Sequence, residues 1–452
     1  MKDFLIHGGS IVTPEAVFFA DVAITAEEIV AIGPDLETDA RHIVDASGAF
    51  LFPGFIDSHV HFNEPGRAEW EGISSGSRAL AAGGGTLYFD MPLNSTPPTL
   101  DGSALLRKRE IAEAKSVTDF ALWGGLTPVN LTAMDELADL GVVGFKAFMS
   151  DSGISDFPRV DSNSLKRGMQ LAARRGLAVA VHAEDQELTA NLAQRLRAAG
   201  NKEWKDYLNS RPIEAELIAI RTALDLAGET GCRLHVVHVS CPEGIELISE
   251  ARQKGINVSA ETCPHYLLLT GEDLEKLGAP AKCAPPLRDE ACRSALWNQV
   301  RAGLVDTLGS DHSPAAMEMK VSTDAFSVWG GISGCQHGFL LVLAELFASD
   351  GVMGLQRFAK ISATGVAERF GLGSKGIMAP GGHADLVLVA FGKGDEIFSE
   401  DLRYRHKMSP YVGKFLRAQV RRTWLRGQQI YGEGLAGEPK PIGRMVKPKR
   451  RE

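Results

Sequence analysis

Between residues 51 and 375 the chain repeats one pattern. A short apolar, often β-branched run is followed by a stretch with apolar residues at i, i+3 and i+4. Runs at 55–57, 86–90, 119–123, 142–148, 178–182, 234–239, 257–261 and 305–310 read as eight buried strands. Segments such as 164–175 and 214–227 read as the helices between them. Eight strands alternating with helices predict an α/β fold, a (β/α)8 TIM barrel. The flanks have a different texture. Short strand-like patches at 4–7, 10–12, 20–24, 29–32 and 42–45 are separated by Gly, Pro and acidic residues, and strand-like runs return at 384–389 and 420–431. Together the two ends predict a small β-sandwich domain, residues 1–50 plus 376–452, beside a catalytic barrel domain at 51–375.

Composition narrows the function classes. The chain has 452 residues, 44% hydrophobic and 23% charged, which suits a globular protein with a large core. A net charge of −9 argues against nucleic acid or an anionic membrane as partner. The one basic block, 447–451, reads as a solvated terminus. Six scattered cysteines without a C-x-x-C pair do not make a disulfide framework, so a reducing compartment is expected. The N-terminus lacks a secretory apolar region, and no run approaches the ~20 residues needed to span a bilayer. These readings predict a cytoplasmic protein.

In a (β/α)8 barrel the chemistry sits at the C-terminal ends of the strands. His59 and His61 follow the first run; residues i and i+2 of a strand share a face, so their imidazoles can share one metal ion. Lys146 lies in the fourth run, His182 ends the fifth, His238 lies near the end of the sixth, and Asp311 follows the eighth. A lone histidine at a strand end is ordinarily a hydrogen-bonded polar residue. Ligand-type side chains on several independent strand ends are poorly explained that way. Zinc and similar divalent ions take His nitrogens and carboxylate oxygens, and catalytic sites leave a position for water. His235, three residues before His238, is expected to face the opposite side and be structural, as is His312. His265, after the seventh run, is either a supporting residue of the site or structural.

A lysine within an apolar strand is costly unless neutral or paired. Lys146 either carries its ammonium to the barrel mouth or reacts with CO2. The product, N6-carboxylysine, is an anion whose two oxygens can bridge two metal ions.

These residues resemble a known family. The run Pro-Gly-Phe-Ile-Asp-Ser-His-Val-His near 53, Gly-Phe-Lys near 144, Val-His-Ala-Glu near 181, Ser-Asp-His-Ser-Pro near 310 and Pro-Gly-Gly-His-Ala-Asp-Leu-Val-Leu near 380 resemble the amidohydrolase superfamily. The likeness is to its cyclic-amidohydrolase branch of dihydroorotases, hydantoinases, dihydropyrimidinases and allantoinases, and it covers essentially the whole chain. Carried across residue by residue, it implies a binuclear site. His59, His61, Lys146 and Asp311 would hold the more buried divalent ion; Lys146, His182 and His238 would hold the more exposed one. Zinc is the first expectation, with iron, cobalt or manganese as alternatives. The resemblance also implies a homotetramer or dimer.

Within the branch, segments 64–72, 90–99, 329–334 and 404–413 look most like the allantoinases. Dihydroorotases typically place Arg two residues after the second His, to fork onto the substrate carboxylate. Asn63 stands there, and an amide cannot neutralise a carboxylate, so a neutral ring is expected. Hydantoinases and dihydropyrimidinases often have Tyr five residues after the bridging Lys; this chain has Asp151. The common Cys-Ser-Pro-Pro segment reads Cys283-Ala284-Pro285-Pro286. That change is harmless if the position offers only backbone groups. The expected reaction is hydrolysis of the hydantoin ring of allantoin to allantoate by metal-activated water. Asp311 would be general base and then general acid. Asn94 and the backbone at Ala284, Gly330 and Gly331 are candidates for the ring amides, and Asn63 for the ureido arm; Asn94 is equally well a turn residue before Pro97 and Pro98. Two other readings stay open: another cyclic amidohydrolase, and a catalytically inactive scaffold homologue.

Overall fold

The computed structural model describes residues 2–36 and 39–449. The central barrel strands are β1 (Phe55–Val60), β2 (Gly85–Asp90), β3 (Asp119–Leu122), β4 (Gly144–Phe148), β5 (Ala178–His182), β6 (Arg233–Val236), β7 (Val258–Thr262) and β8 (Thr307–Leu308). β1, β2 and β3 pair in parallel, and so do β4 through β8. The gap between β3 and β4 is bridged by Gly124–Gly125, which pairs with Phe145 and Lys146. The ring closes where Val60 bridges His312 in parallel and the His61 amide donates to the His312 carbonyl at 2.7 Å. All eight predicted runs therefore lie on barrel strands.

The helices follow from the same periodicity. Ser162–Arg174 buries Leu165, Gly168, Met169 and Ala172, the i, i+3, i+4, i+7 stripe that faces a core. Asp161 caps it, its carboxylate accepting from the Ser164 amide at 2.7 Å. A cap of this kind is worth about 1 kcal/mol. The second predicted helix spans Ile213–Thr230 and stops at Gly231, which takes the left-handed conformation a helix end requires.

The chain ends form one eight-stranded sheet. Its order is Gln428–Gly432, Phe415–Leu425, Leu386–Glu396, Phe50–Pro53, Lys2–Val12, Val17–Thr25 and Glu28–Gly33, with Ala40–Asp45 on Lys2–Val12. The patches at 4–7 and 10–12 are a single strand. Its first half pairs with Ala40–Asp45 and its second with Phe50–Pro53, so the sheet branches along this strand. Phe4, Val22, Ile24, Val44, Leu51, Leu386, Leu388 and Trp424 form its separate core. The run at 420–431 is a hairpin rather than one strand. It turns at Arg426 and Gly427, both at positive φ (46° and 74°), as tight hairpin turns demand. Arg is a rare choice there; a buried ionic network holds it.

That network joins the sheet to the barrel. Lys375 Nζ lies 2.5 Å from Asp119 and 2.6 Å from Asp385, and Arg426 also pairs with Asp119. The Arg444 amide donates to Asp119 at 2.8 Å, and the Val446 amide to the Phe120 carbonyl at 2.7 Å. The terminal segment is thus stitched to β3. Lys447 and Lys449, read from sequence as part of a solvated tail, are exposed while their segment runs along the barrel: the Lys447 stem packs on Gly141 and the Lys449 amide donates to the Gly371 carbonyl.

Candidate metal centre and the cavity above it

The C-terminal rim of the barrel opens into a cavity of about 590 Å³. His59, His61, His182, His238 and Asp311 line it, with Lys146 buried beneath. His59, His61 and Asp311 form one group in which one ligand atom from each lies within 4.8 Å of the others. Asp311 Oδ1 is 3.2 Å from His59 Nε2 and 3.3 Å from His61 Nε2. A second group faces it: His182 Nδ1 lies 3.1 Å from His238 Nε2. The His59 and His238 rings are 5.4 Å apart between centroids, so the groups are neighbours. All six side chains expected as ligands converge on one rim.

Two histidines have their outer nitrogen on a buried carboxylate, which orients the inner one: Glu261 Oε1 lies 2.9 Å from His59 Nδ1, and Glu184 Oε2 lies 2.9 Å from His182 Nε2. Such partners fix the tautomer and ring plane of a ligating histidine. Arg211 in turn pairs with Glu184. Burial pushes the Glu184 carboxyl up, but the Arg211 charge and the His182 hydrogen bond outweigh it and hold it at about 2. Burial lowers His59 to about 4 and pushes His182 and His238 down, which favours the neutral imidazole a cation binds. Burial opposes the Asp311 charge, yet the facing His59 and His61 keep its carboxyl below the ordinary range.

Lys146 is fully buried, and its Nζ has no hydrogen-bond partner among the described residues. Burial lowers its ammonium to about 8. The snorkelling alternative would bring the charge to the barrel mouth and does not suit this burial. An orphaned buried amine among neutral imidazoles and a carboxylate is a donor set waiting for cations and a small acidic partner.

The backbone is strained here. Asn63, Asn94, His238 and Asp311 have φ of 64°, 66°, 42° and 45°. A non-glycine residue held there costs on the order of 1–3 kcal/mol, and such strain concentrates at functional sites. It also explains a departure from expectation at His235. β6 ends at Val236, and the turn at His238 breaks the two-residue alternation. His235 Nε2 lies 3.3 Å from Glu261 Oε2, so it supports the carboxylate that orients His59 rather than facing away from the site. His312 is structural: its Nδ1 accepts from the Gly334 amide at 3.1 Å. His265 is buried with neither ring nitrogen partnered among the described residues, and burial lowers it to about 4.

Asn94, Ala284, Gly330 and Gly331 line the cavity; Asn63 is not among its lining residues. Asn63 is buried at positive φ against the loop that follows Asp311: its Nδ2 donates to the Pro314 carbonyl at 3.3 Å, and its Oδ1 has no partner among the described residues. Around Ala284, the Tyr207 hydroxyl donates to the Cys283 carbonyl at 2.8 Å and the Tyr266 hydroxyl to the Pro285 carbonyl at 2.7 Å. The backbone is fixed there whatever side chain stands at 284. Sequence reasoning did not single out Glu261, Glu184, Arg211 or Lys282. An acid ending an apolar run was the available signal for Glu261.

All six cysteines are buried free thiols, and no described helix is long and apolar enough to cross a membrane.

Residues 50–430 match the amidohydrolase family. The chain is 48% identical to an allantoinase of Deinococcus radiodurans over 99% of both chains. It is 49% identical to an allantoinase of Solibacter usitatus over 99% of this chain and 98% of that one. Among solved structures it superposes on the L-hydantoinase (dihydropyrimidinase) of Arthrobacter aurescens with a TM-score of 0.96 and 32% identity, over 99% of this chain and 100% of that one. The chain belongs to the amidohydrolase family and, within it, groups with the allantoinases.

Proposed function

We propose that this protein hydrolyses the hydantoin ring of allantoin to allantoate. It is a hydrolase of cyclic amide bonds by family, and full-length relatives at 48% and 49% identity carry the allantoinase name. The observation that carries the reading is the paired donor groups on one rim, His59, His61 and Asp311 against His182 and His238, with Lys146 beneath, its Nζ without a hydrogen-bond partner among the described residues. In this reading they hold two divalent ions, zinc first, with Lys146 carboxylated by CO2. Bound there, such ions lower the pKa of a water toward neutrality and polarise a ring carbonyl.

The chain's own groups do the rest. Asp311, held ionised, accepts the proton of the attacking water at a carboxylate oxygen. It then returns that proton to the leaving ring nitrogen. Asn94 and the backbone at Ala284, Gly330 and Gly331 orient the ring. A neutral ring is argued from Asn63, an amide where a carboxylate-binding member of the branch would place Arg; of the cations lining the cavity, Arg211 is paired with Glu184. We place the catalytic unit at 51–375 and the small domain at 1–50 with 376–452, and propose a cytoplasmic homotetramer.

A turnover panel of allantoin, dihydroorotate, hydantoin and dihydrouracil tests the reading. Allantoin should be the preferred substrate. Preference for hydantoin or dihydrouracil would favour the activity named for the Arthrobacter protein. Failure to bind metal and to turn over any ring would favour a scaffold.

A further inference from the structure

One wall of the cavity is a strap, residues 328–331, that reaches the rim from outside the barrel. Two buried lysines hold it. Lys320 Nζ lies 2.9 Å from the Trp329 carbonyl, 2.8 Å from the Gly331 carbonyl and 3.3 Å from the Ala279 carbonyl. Lys282 Nζ donates to the Val328 carbonyl and lies 4.5 Å from the centre of the Tyr207 ring. Their exposures are 6% and 4%. Burying an ammonium is costly unless acceptors surround it, and here the acceptors are main-chain carbonyls of the strap and of Ala279.

The strap is also pinned by backbone. The Gly331 amide donates to the Lys282 carbonyl at 2.7 Å, and the Ser313 amide donates to the Ile332 carbonyl at 2.9 Å. Gly331 has φ of 140°, and a Cβ there would meet the Ser313 carbonyl at 2.0 Å. The strap thus presses on the loop that carries Asp311. Of the four strap carbonyls, the lysines draw in those of 328, 329 and 331. Gly330 is left over, and a Cβ on it would meet nothing within 4 Å.

We propose that Lys282 and Lys320 are positioning residues that turn the carbonyls of Val328, Trp329 and Gly331 away from the cavity and so present the Gly330 peptide to the amide edge of the substrate ring. This rests on reading the cavity as a cyclic-amide site. It adds two residues that act on substrate affinity through the strap.

The test uses metal-loaded full-length protein and whichever ring of the substrate panel the wild type turns over fastest, so an error about allantoin does not disturb it. In Lys320→Met and Lys282→Met, KM should rise about tenfold while kcat stays within about threefold and metal content is unchanged. Hydrogen exchange of the 325–331 amides should quicken, and Lys320→Arg should recover part of the KM. Gly330→Ala, with both lysines intact and no clash in the protein, should raise KM without changing the melting temperature. It keeps the proposal testable if the lysine variants fail to fold. Unchanged KM and unchanged exchange in the lysine variants, or an unchanged KM in Gly330→Ala, overturns the proposal. So does a fall in kcat at constant KM.

Discussion

Glu261 Oε1 stands 2.9 Å from His59 Nδ1, and its other oxygen takes the Ser58 hydroxyl and lies 3.3 Å from His235 Nε2. One buried carboxylate thereby fixes the face that His59 presents to Asp311. The facing His235 and His59 keep its carboxyl low against the pull of burial, so it is ionised at any working pH. Substituting Glu261→Gln should lower metal affinity or turnover by about 10–100-fold, the range for loss of such a supporting partner. Metal titration with and without the substitution measures it; equal affinities and rates would dismiss the orienting role.

Asp311→Asn should cut turnover by about 10²–10⁴-fold, the usual contribution of a general base. Metal analysis of the same sample separates the proton-transfer role from lost binding. Substantial turnover with metal retained would remove Asp311 from the mechanism.

Lys146 must be neutral to react with CO2. With its ammonium lowered to about 8, about a tenth is neutral at pH 7, against about one in 2,500 for an ordinary lysine. The neutral fraction falls as pH drops. Reactivation of metal-free protein with zinc should therefore be faster at pH 8.5 than at pH 6.5 and should speed up with added bicarbonate. Rates independent of both would count against carboxylation. Lys146→Ala should bind less metal and lose activity.

Chelation should abolish turnover and lower the melting temperature, because ligands that bind only the folded state stabilise it by mass action. Re-addition of zinc should restore both. Activity that survives exhaustive chelation would contradict the metal reading.

At the domain junction, burial opposes the Asp119 charge, but Lys375 and Arg426 outweigh it and depress the pKa. The depressed carboxyl contributes stability in full above its unfolded value near 4, and the contribution is lost as pH falls below that. Asp119→Asn should cost about 3–5 kcal/mol at pH 7 by leaving buried cations underpaired. The deficit should shrink as the pH falls below 4. Denaturant titrations at several pH values read this out, and a pH-independent deficit would contradict it.

Much of the barrel and its rim is written locally. Strand runs, their alternation with helices, and the His-x-His step depend on spacing along the chain, which period and residue type reveal. For that reason His59, His61, Lys146, His182, His238 and Asp311 are legible as candidates in the sequence alone. What packs against them could not. Glu261 reaches His59 across 202 positions, and Lys320 reaches Ala279 across 41. Such pairings depend on which barrel strands and loops become neighbours. Backbone twist decided other points. The left-handed turn at Asn63 brings its amide to the Pro314 carbonyl, and the turn at His238 breaks the alternation that would have set His235 apart. Chain-local periodicity thus determined the scaffold and the donor atoms. Tertiary structure alone decided their orientation, protonation and surrounding wall, because those depend on burial and on charges brought together from distant segments.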